Sequence, residues 1–214
     1  MRRVTSEEER HPFEPLNLEG EPVTPRQAAT VLVLRGDADA LEVLLVKRNP
    51  AQRFMGGAWV FPGGAVDAVD GSDSTAHRLA GVREVAEEAS VTLPDAAALL
   101  PYSRWITPRQ VAVRFDTHFF LARAPADVEP QVDGEECVDW GWFAPADALA
   151  ANERDELLLA FPTVKTLQGL AGFASADALL EWAAGRTVEP VEPQVVVEGE
   201  VAKVLLPGDP GYAD

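Results

Sequence analysis

Cysteine is nearly absent from this chain, because Cys137 is the single thiol among 214 residues. One thiol cannot form an intramolecular disulfide and is a poor basis for a zinc site, so we expect Cys137 to be a small buried side chain. The chain also lacks an apolar run near the roughly eighteen residues that a membrane-spanning helix needs. Residues 1–3 lead into three glutamates at 7–9 rather than into a signal-peptide core, which predicts a cytoplasmic protein with no membrane partner.

Basic residues are scarce as well. Lys and Arg number 18 against 35 Asp and Glu, and the formal net charge is −17. A field of this sign repels polyanions, so nucleic acid is not an expected partner. It does not exclude a small phosphorylated ligand, because divalent metal ions held by clustered carboxylates reverse the local sign of the potential.

The hydrophobic content of 47% is sufficient for one buried core. We expect residues 1–27 to form a flexible, Pro-containing arm and residues 28–214 to form a single domain that ends in a helical and extended segment. Apolar runs predict strands, and helical periodicity predicts helices, in alternation along the chain. This mixture favours an α/β fold with a mixed sheet covered on both faces. The predicted strands cover residues 29–34, 41–46, 59–61, 111–124, 195–197 and 201–206, and an acidic loop feeds a further strand within 135–143. A helix is predicted to start at 145–149, and the predicted helices after it cover 155–160, 164–170 and 175–184.

A further helix, predicted to begin near Asp73 or Ser74 and to end near residue 90, carries three glutamates on one side. At 100° per residue, Glu84, Glu87 and Glu88 lie opposite an aliphatic face. Glutamates three and four residues apart repel one another by about a few tenths of a kcal/mol per pair. Such a cluster is explained either by an ordinary solvated face or by a hard divalent cation that binds carboxylate oxygens.

Two strings around this helix resemble the Nudix box, whose pattern is G-x5-E-x7-R-E-U-x-E-E-x-G-U with U aliphatic. Residues 83–88 read REVAEE and match its second half fully, and residues 61–64 read FPGG, which is the usual lead-in of the family. Asp70 replaces a Glu of the pattern, Ser90 replaces a Gly, and the spacing from Asp70 to Arg83 is five residues longer. Because an Asp side chain is one methylene shorter than Glu, we assign no role to Asp70.

The longer spacing, together with four flanking strings, resembles the Nudix subgroup of peroxisomal acyl-coenzyme A diphosphatases and their bacterial relatives. The resemblance implies an α/β/α sandwich with the box as a loop-helix-loop on one edge. It also implies catalysis dependent on Mg²⁺ or Mn²⁺ and hydrolysis of a phosphoanhydride bond, and family analogy allows a homodimer. The flanking strings cover residues 53–64, 105–108, 114–120 and 206–212.

The same resemblance assigns roles to residues of the box. The metal ligands would be Glu84, Glu87 and Glu88, with the carbonyl oxygen of Gly63, whereas Gly64 and Arg83 would be structural, Arg83 pairing with a glutamate. Glu84 is the first choice for general base, since a carboxylate beside the metal can take a proton from water. In related enzymes the base lies on a later loop, so Glu136 and Glu135 are alternatives, as is a solvated acidic loop.

Three basic residues follow the second predicted strand and are candidates for substrate phosphate binding: Lys47, Arg48 and Arg53. Ordinary solvated charge is the alternative. The predicted substrate is CoA or acyl-CoA, which would yield a phosphopantetheine product and 3′,5′-ADP. The alternatives are a pyrophosphatase for ADP-ribose, a dinucleotide or a nucleoside triphosphate, and a non-catalytic domain that binds a nucleotide.

Two further sets of residues have both functional and structural interpretations. Asp116 and His118 lie two apart on a predicted strand and so share a face, which suits either a dyad or a histidine hydrogen-bonded within the sheet. Trp59 and Trp105 belong either to the core or to a surface that stacks on a nucleobase.

Overall fold

The computed structural model describes residues 17, 20–198 and 201–213. Most of the predicted N-terminal arm lies outside these residues, and the first strand begins at Arg26, two residues before the predicted domain boundary. The strands are β1 (Arg26–Arg35), β2 (Glu42–Arg48), β3 (Trp59–Val60), β4 (Gly63–Ala65), β5 (Leu100–Ile106), β6 (Phe115–Arg123), β7 (Cys137–Phe143), β8 (Pro190–Val191), β9 (Gln194–Glu198) and β10 (Val201–Leu205). The α-helices are α1 (Ala76–Ala89), α2 (Pro145–Glu153), α3 (Phe161–Leu170) and α4 (Ala176–Ala183).

Eight strands form one mixed sheet, as the sequence predicts. Its strand order is β3-β2-β1-β6-β5-β8, with β4 also paired to β1 and β7 to β2. The pairs β1–β6 and β5–β8 are parallel, and the remaining pairs in this sheet are antiparallel. Strands β9 and β10 form a separate antiparallel pair, which confirms the two late strands.

Both faces of the sheet are covered because the side chains of β1 alternate between two apolar clusters. Leu32 and Leu34 pack with residues of α2, α3 and α4. Val31 and Val33 pack on the other face with residues of α1. The architecture is therefore the α/β/α sandwich that the resemblance implies.

The helix that carries the glutamates begins later than predicted. The Asp73 carboxylate accepts hydrogen bonds from the backbone N and Oγ1 of Thr75, so it closes a turn before the helix rather than capping its first residues. The helix ends at Ala89 because Ser90 adopts a left-handed conformation, with φ of 54°.

One other predicted boundary and one predicted helix were wrong. The predicted strand at 111–124 is ordered as a strand only over Phe115–Arg123, since Arg114 turns inward and its guanidinium donates to the carbonyl oxygens of Thr107 and Val23. The predicted helix at 155–160 is an irregular segment, in which the backbone N of Trp59 donates to the Leu158 carbonyl. Leu157, Leu159 and Ala160 are buried because the segment lies along β3, and not because they form a helical face, whereas Leu158 is exposed.

The prediction that Cys137 is a buried side chain is confirmed. Cys137 is a free, fully buried thiol at the start of β7. Across the described ranges, none of the helices has the length and apolarity needed to span a membrane.

Candidate active site

A cavity of about 940 Å³ lies beside the sheet. Of the acidic residues selected from the sequence, Glu84, Glu87 and Glu136 line it, whereas Glu88 does not. The cavity is bounded by β1, β4 and β6, by α1 and α3, and by the β9–β10 hairpin. One part of its wall is polar, and the rest is mainly apolar. The polar part is lined by Gly63, Gly64, Glu84, Glu87 and Glu136, together with Arg48 and Arg83.

The two glycines of β4 allow the backbone to lie against both the sheet and α1. A Cβ on Gly63 would lie 2.5 Å from the carbonyl oxygen of Ala29, and one on Gly64 would lie 2.4 Å from a carboxylate oxygen of Glu84. Side chains at these positions would separate β4 from β1 and displace Glu84. The pair of glycines therefore sets how closely the box glutamates approach the backbone of β4.

Arg83 connects three carboxylates in and around the box. Its Nη1 lies 2.7 Å from Glu84 and 2.9 Å from Glu87, and its Nε and Nη2 donate to both carboxylate oxygens of Asp70 at 3.0 and 2.9 Å. A further hydrogen bond, from Nη2 to the carbonyl oxygen of Ala65, joins Arg83 to β4. These contacts offset the mutual repulsion of the glutamates without a metal ion.

Asp70, to which the sequence assigns no role, has a structural one. The residue is only 4% exposed, and hydrogen bonds from Arg83 hold the pKa of its carboxyl below the ordinary value. One of its oxygens also accepts the backbone N–H of Asp67 at 2.8 Å, which closes the loop before α1. The shorter side chain reaches Arg83 because a 3₁₀ turn over Ala68–Asp70 brings its backbone close to α1.

Glu88 is the most buried glutamate of the cluster, with 2% of its surface exposed. It accepts the backbone N–H of Gly63 at 2.9 Å, and Nη1 of Arg48 lies 3.5 Å away. Burial nevertheless dominates and raises the pKa of Glu88 to about 8. Burial also raises the pKa of Glu84, whereas the Glu87 side chain is 58% exposed.

Arg48 links the box to the loop before β7. Its Nη2 lies 3.1 Å from Glu136, and its Nε donates to the Phe54 carbonyl at 3.2 Å, while Nη1 faces Glu88. The guanidinium therefore holds Glu136 near the box glutamates. Arg48 lines the cavity as a bridge between carboxylates, a role that its position after a strand does not reveal.

The loop that carries Glu136 is held by two residues that sequence reasoning missed. The Asp133 carboxylate accepts the backbone N–H groups of Glu135, Glu136 and Cys137 at 3.0–3.2 Å. Asn49 donates from its side chain to the Glu135 carbonyl at 2.8 Å. The Asp133-Gly134 pair is a turn signal that could have identified the first of these contacts.

The other predicted phosphate-binding residues lie elsewhere. Neither Lys47 nor Arg53 lines the cavity, and neither does the alternative base Glu135. Two basic residues not selected from the sequence do line it: Arg26, whose guanidinium carbon lies 5.9 Å from the Phe115 ring centre, and Lys165 on α3.

The model of the NUDIX domain matches residues 24–161 of the chain. The chain belongs to the Nudix family. Acyl-coenzyme A diphosphatase NUDT19 of Homo sapiens is 27% identical to it, over 83% of this chain and 74% of that protein. A NUDIX hydrolase from Alicyclobacillus acidocaldarius superposes with a TM-score of 0.66 at 27% identity, over 74% of this chain and 96% of that chain. The NUDIX domain of Shewanella oneidensis NrtR complexed with ADP ribose has a TM-score of 0.53 at 20% identity, over 68% of this chain and 86% of that chain, and shows the fold alone. The chain is thus a Nudix hydrolase.

Nudix hydrolases generally depend on a divalent metal ion, and the box of this chain offers suitable donors. All are hard carboxylate oxygens, and a carboxylate as buried as Glu88 would be ionised at neutral pH only beside additional positive charge. Within residues 17, 20–198 and 201–213, no three acidic, His or Cys side chains converge as a preformed metal site. Arg48 and Arg83 lie among the carboxylates instead. The donor chemistry fits a hard divalent ion, and Glu84 and Glu87 would have to exchange their contacts with Arg83 to bind it.

Asp116 and His118 do not form a dyad in this Nudix hydrolase. The Asp116 carboxylate accepts two hydrogen bonds from Arg104, at 2.8 and 2.7 Å, and these contacts lower its pKa. The His118 ring packs against the His77 ring with 4.1 Å between centroids, and burial lowers the pKa of His118 to about 4. Neither residue of the suggested dyad lines the cavity.

The two selected tryptophans have different surroundings. Trp59 is buried in the core, where its ring meets the edge of Phe143 at 5.3 Å, and it does not line the cavity. Trp105 lines the cavity and meets Phe161 edge-on at 6.4 Å. Only Trp105 is therefore placed where it could stack on a substrate.

Proposed function

We propose that this Nudix hydrolase uses Mg²⁺ or Mn²⁺ to hydrolyse the phosphoanhydride bond of CoA or acyl-CoA. The observation that carries the proposal is the shape of the cavity, in which the box carboxylates occupy one part of a wall that is otherwise mainly apolar. CoA has the matching form, since a long arm with little charge extends from its pyrophosphate. The similarity to an acyl-coenzyme A diphosphatase supports the same substrate class.

Glu84, Glu87, Glu88 and the carbonyl oxygen of Gly63 would hold the metal ion. When bound, the ion would supply positive charge that offsets the charge of the anhydride oxygens and makes the attacking water more acidic. The residues of the chain position the anhydride and accept the proton of the attacking water. The water oxygen forms a bond to phosphorus as the bridging P–O bond breaks, and the bridging oxygen leaves with the second phosphate. For CoA the products are 3′,5′-ADP and 4′-phosphopantetheine.

Glu84 is our first candidate for the general base, and Glu136 is the second. Burial raises the pKa of Glu84, which makes its carboxylate a better proton acceptor than an exposed glutamate. Glu136 lies near the box glutamates on the loop before β7, where Arg48 and the Asp133 turn fix its position. Both carboxylates line the cavity, so substitution of each is needed to show which one is the general base.

Cationic contacts to the substrate phosphates form the second part of the proposal. Arg48 remains a candidate because it lines the cavity, whereas Lys47 and Arg53 do not. For the 3′-phosphate of CoA we propose Arg26 and Lys165, because neither forms an ion pair with an acidic residue in the described part of the chain. Lys165 Nζ lies 5.5 Å from the centre of the Phe161 ring, and Phe161 also lines the cavity. A phosphate at Lys165 and an adenine at Phe161 would therefore be bound side by side.

The test is turnover with Mg²⁺ across CoA, acyl-CoA, ADP-ribose, NADH, diadenosine polyphosphates and nucleoside triphosphates, with wild type beside Glu87→Gln. We expect preferred hydrolysis of CoA species, lost in the variant. Preference for another substrate would retain the site and refute the CoA proposal. An inert wild type that still bound a nucleotide would support a non-catalytic domain.

A further inference from the structure

The β9–β10 hairpin forms one wall of the cavity without joining the main sheet. Its two strands pair only with each other among the described strands, and Val195 lies directly opposite Val204 in their register. Both of these valines line the cavity. Val196, the next residue of β9, is not part of the lining. The hairpin therefore has an apolar inner face built from a cross-strand pair of β-branched residues.

Side chains from three other places in the chain extend this apolar surface. The loop before β6 contributes Val111 and Val113, and Ile106 at the end of β5 and Leu206 after β10 complete the wall. Val113 remains 41% exposed even though it is aliphatic. Apolar surface that is left accessible inside a cavity is typical of a binding site for an apolar group.

Asp209 is the cavity-lining charged residue nearest in sequence to β10, and it is already engaged in local structure. Its carboxylate accepts the backbone N–H of Leu206 at 2.8 Å and so closes the turn after β10. The acidic cluster of the box lies in the same cavity on residues of α1 and of the loop before β7. A ligand that places its anhydride at those carboxylates can therefore extend an uncharged arm towards the hairpin.

We propose that the hairpin wall, centred on Val195 and Val204, binds the acyl chain of the substrate and limits its length. This inference rests on the proposed CoA hydrolase function and assigns the specificity of the same cavity. The wall favours a linear aliphatic chain over a nucleobase because its side chains are aliphatic and offer neither rings for stacking nor side-chain hydrogen-bond donors. The acyl chain can extend no further than the point at which Val195 and Val204 lie opposite each other.

The expected effect on specificity follows from burial. Each methylene that leaves water contributes about a fourfold gain, the ratio that corresponds to ~0.8 kcal/mol. Binding energy from a part of the substrate remote from the reaction can be expressed in kcat/KM. The value of kcat/KM should therefore rise by up to about sixteenfold for each two-carbon extension and level off once the chain reaches the hairpin.

The experiment measures kcat/KM with Mg²⁺ for CoA and for its acetyl, butanoyl, hexanoyl, octanoyl and decanoyl thioesters. Wild type is compared with Val204→Phe, which shortens the compartment, and with Val204→Ala, which enlarges it. Val196→Phe is the matched control, since it adds the same ring to the same hairpin outside the cavity lining. Far-ultraviolet circular dichroism and thermal transitions establish that each variant is folded.

The inference predicts a plateau at shorter chains in Val204→Phe and at longer chains in Val204→Ala. The Val196→Phe series should stay at wild-type values, and in the Val204 variants the value for CoA should change less than the values for the long-chain thioesters. A wild-type series without dependence on chain length would overturn the inference, as would unchanged plateaus in both Val204 variants. An equal loss on CoA and on all thioesters in Val204→Phe would place the nucleotide at the hairpin instead. No hydrolysis of CoA by wild type would refute the proposed function itself, which is a separate outcome.

Discussion

The burial of Glu88 predicts that the metal-free protein loses stability as the pH rises. Burial raises the pKa of this carboxyl from the ordinary value of 4.5 to about 8. The native state therefore keeps a proton that the unfolded chain has already released over this range, so the free energy of unfolding falls with increasing pH. At 1.36 kcal/mol per unit of pKa, the loss is about 2 to 3 kcal/mol between pH 5 and pH 7.

Glu88→Gln removes this dependence while retaining an acceptor for the backbone N–H of Gly63. The assay is denaturant unfolding in EDTA at pH 5, 6 and 7, with Glu87→Gln as the matched control, because the Glu87 side chain is 58% exposed. The stability of Glu88→Gln relative to wild type should increase by about 2 to 3 kcal/mol from pH 5 to pH 7. Other titrating groups, including the two packed histidines, cancel in this difference. Parallel pH profiles for wild type and Glu88→Gln would refute the reasoning.

Three further predictions follow from the surroundings of the box. Asp70→Ala removes a buried partner of Arg83 and should lower the free energy of unfolding by about 3 kcal/mol, measured by urea denaturation; an unchanged midpoint would contradict the role of the pair. Millimolar Mg²⁺ should raise the thermal transition temperature because it binds the native state. The free energy of unfolding should increase by about 2.7 kcal/mol at a concentration of one hundred times Kd, and Glu87→Gln should diminish this increase. Arg26→Gln combined with Lys165→Gln should raise KM for CoA while leaving dephospho-CoA unaffected, and equal effects on both substrates would exclude these residues from 3′-phosphate binding.

The fold could be predicted from the sequence because its signals are local. The apolar run of residues 29–34 and the periodicity of α1 each specify an element through residues a few positions apart. The prediction of a helix failed at 155–160, where Leu157, Leu159 and Ala160 are buried along β3 instead. In that segment tertiary contacts, and not periodicity, decide the conformation, because the chain must leave α2 and return to β3 before α3 begins.

The electrostatic structure of the candidate site was less predictable because its contacts join distant parts of the chain. Arg48 and Glu136 are 88 residues apart, and no local pattern pairs them. The adjacent basic residue Lys47 does not line the cavity, which agrees with the rule that neighbouring residues of a strand point to opposite faces. That rule alone predicts that only one member of a Lys-Arg pair faces a given site. The basic residues Arg26 and Lys165 were missed because only the fold brings them to the same cavity.

The central claim, that the carboxylates of this cavity catalyse hydrolysis of a CoA phosphoanhydride, is tested most directly by kcat on CoA with saturating Mg²⁺. Wild type is compared with Glu84→Gln and Glu136→Gln, and Glu135→Gln serves as a control because its side chain does not line the cavity. We predict a loss of about 10²–10⁴ in kcat for the variant that removes the general base and none for the control. Wild-type turnover in both Glu84→Gln and Glu136→Gln, or a wild-type enzyme inert towards CoA, would contradict the account.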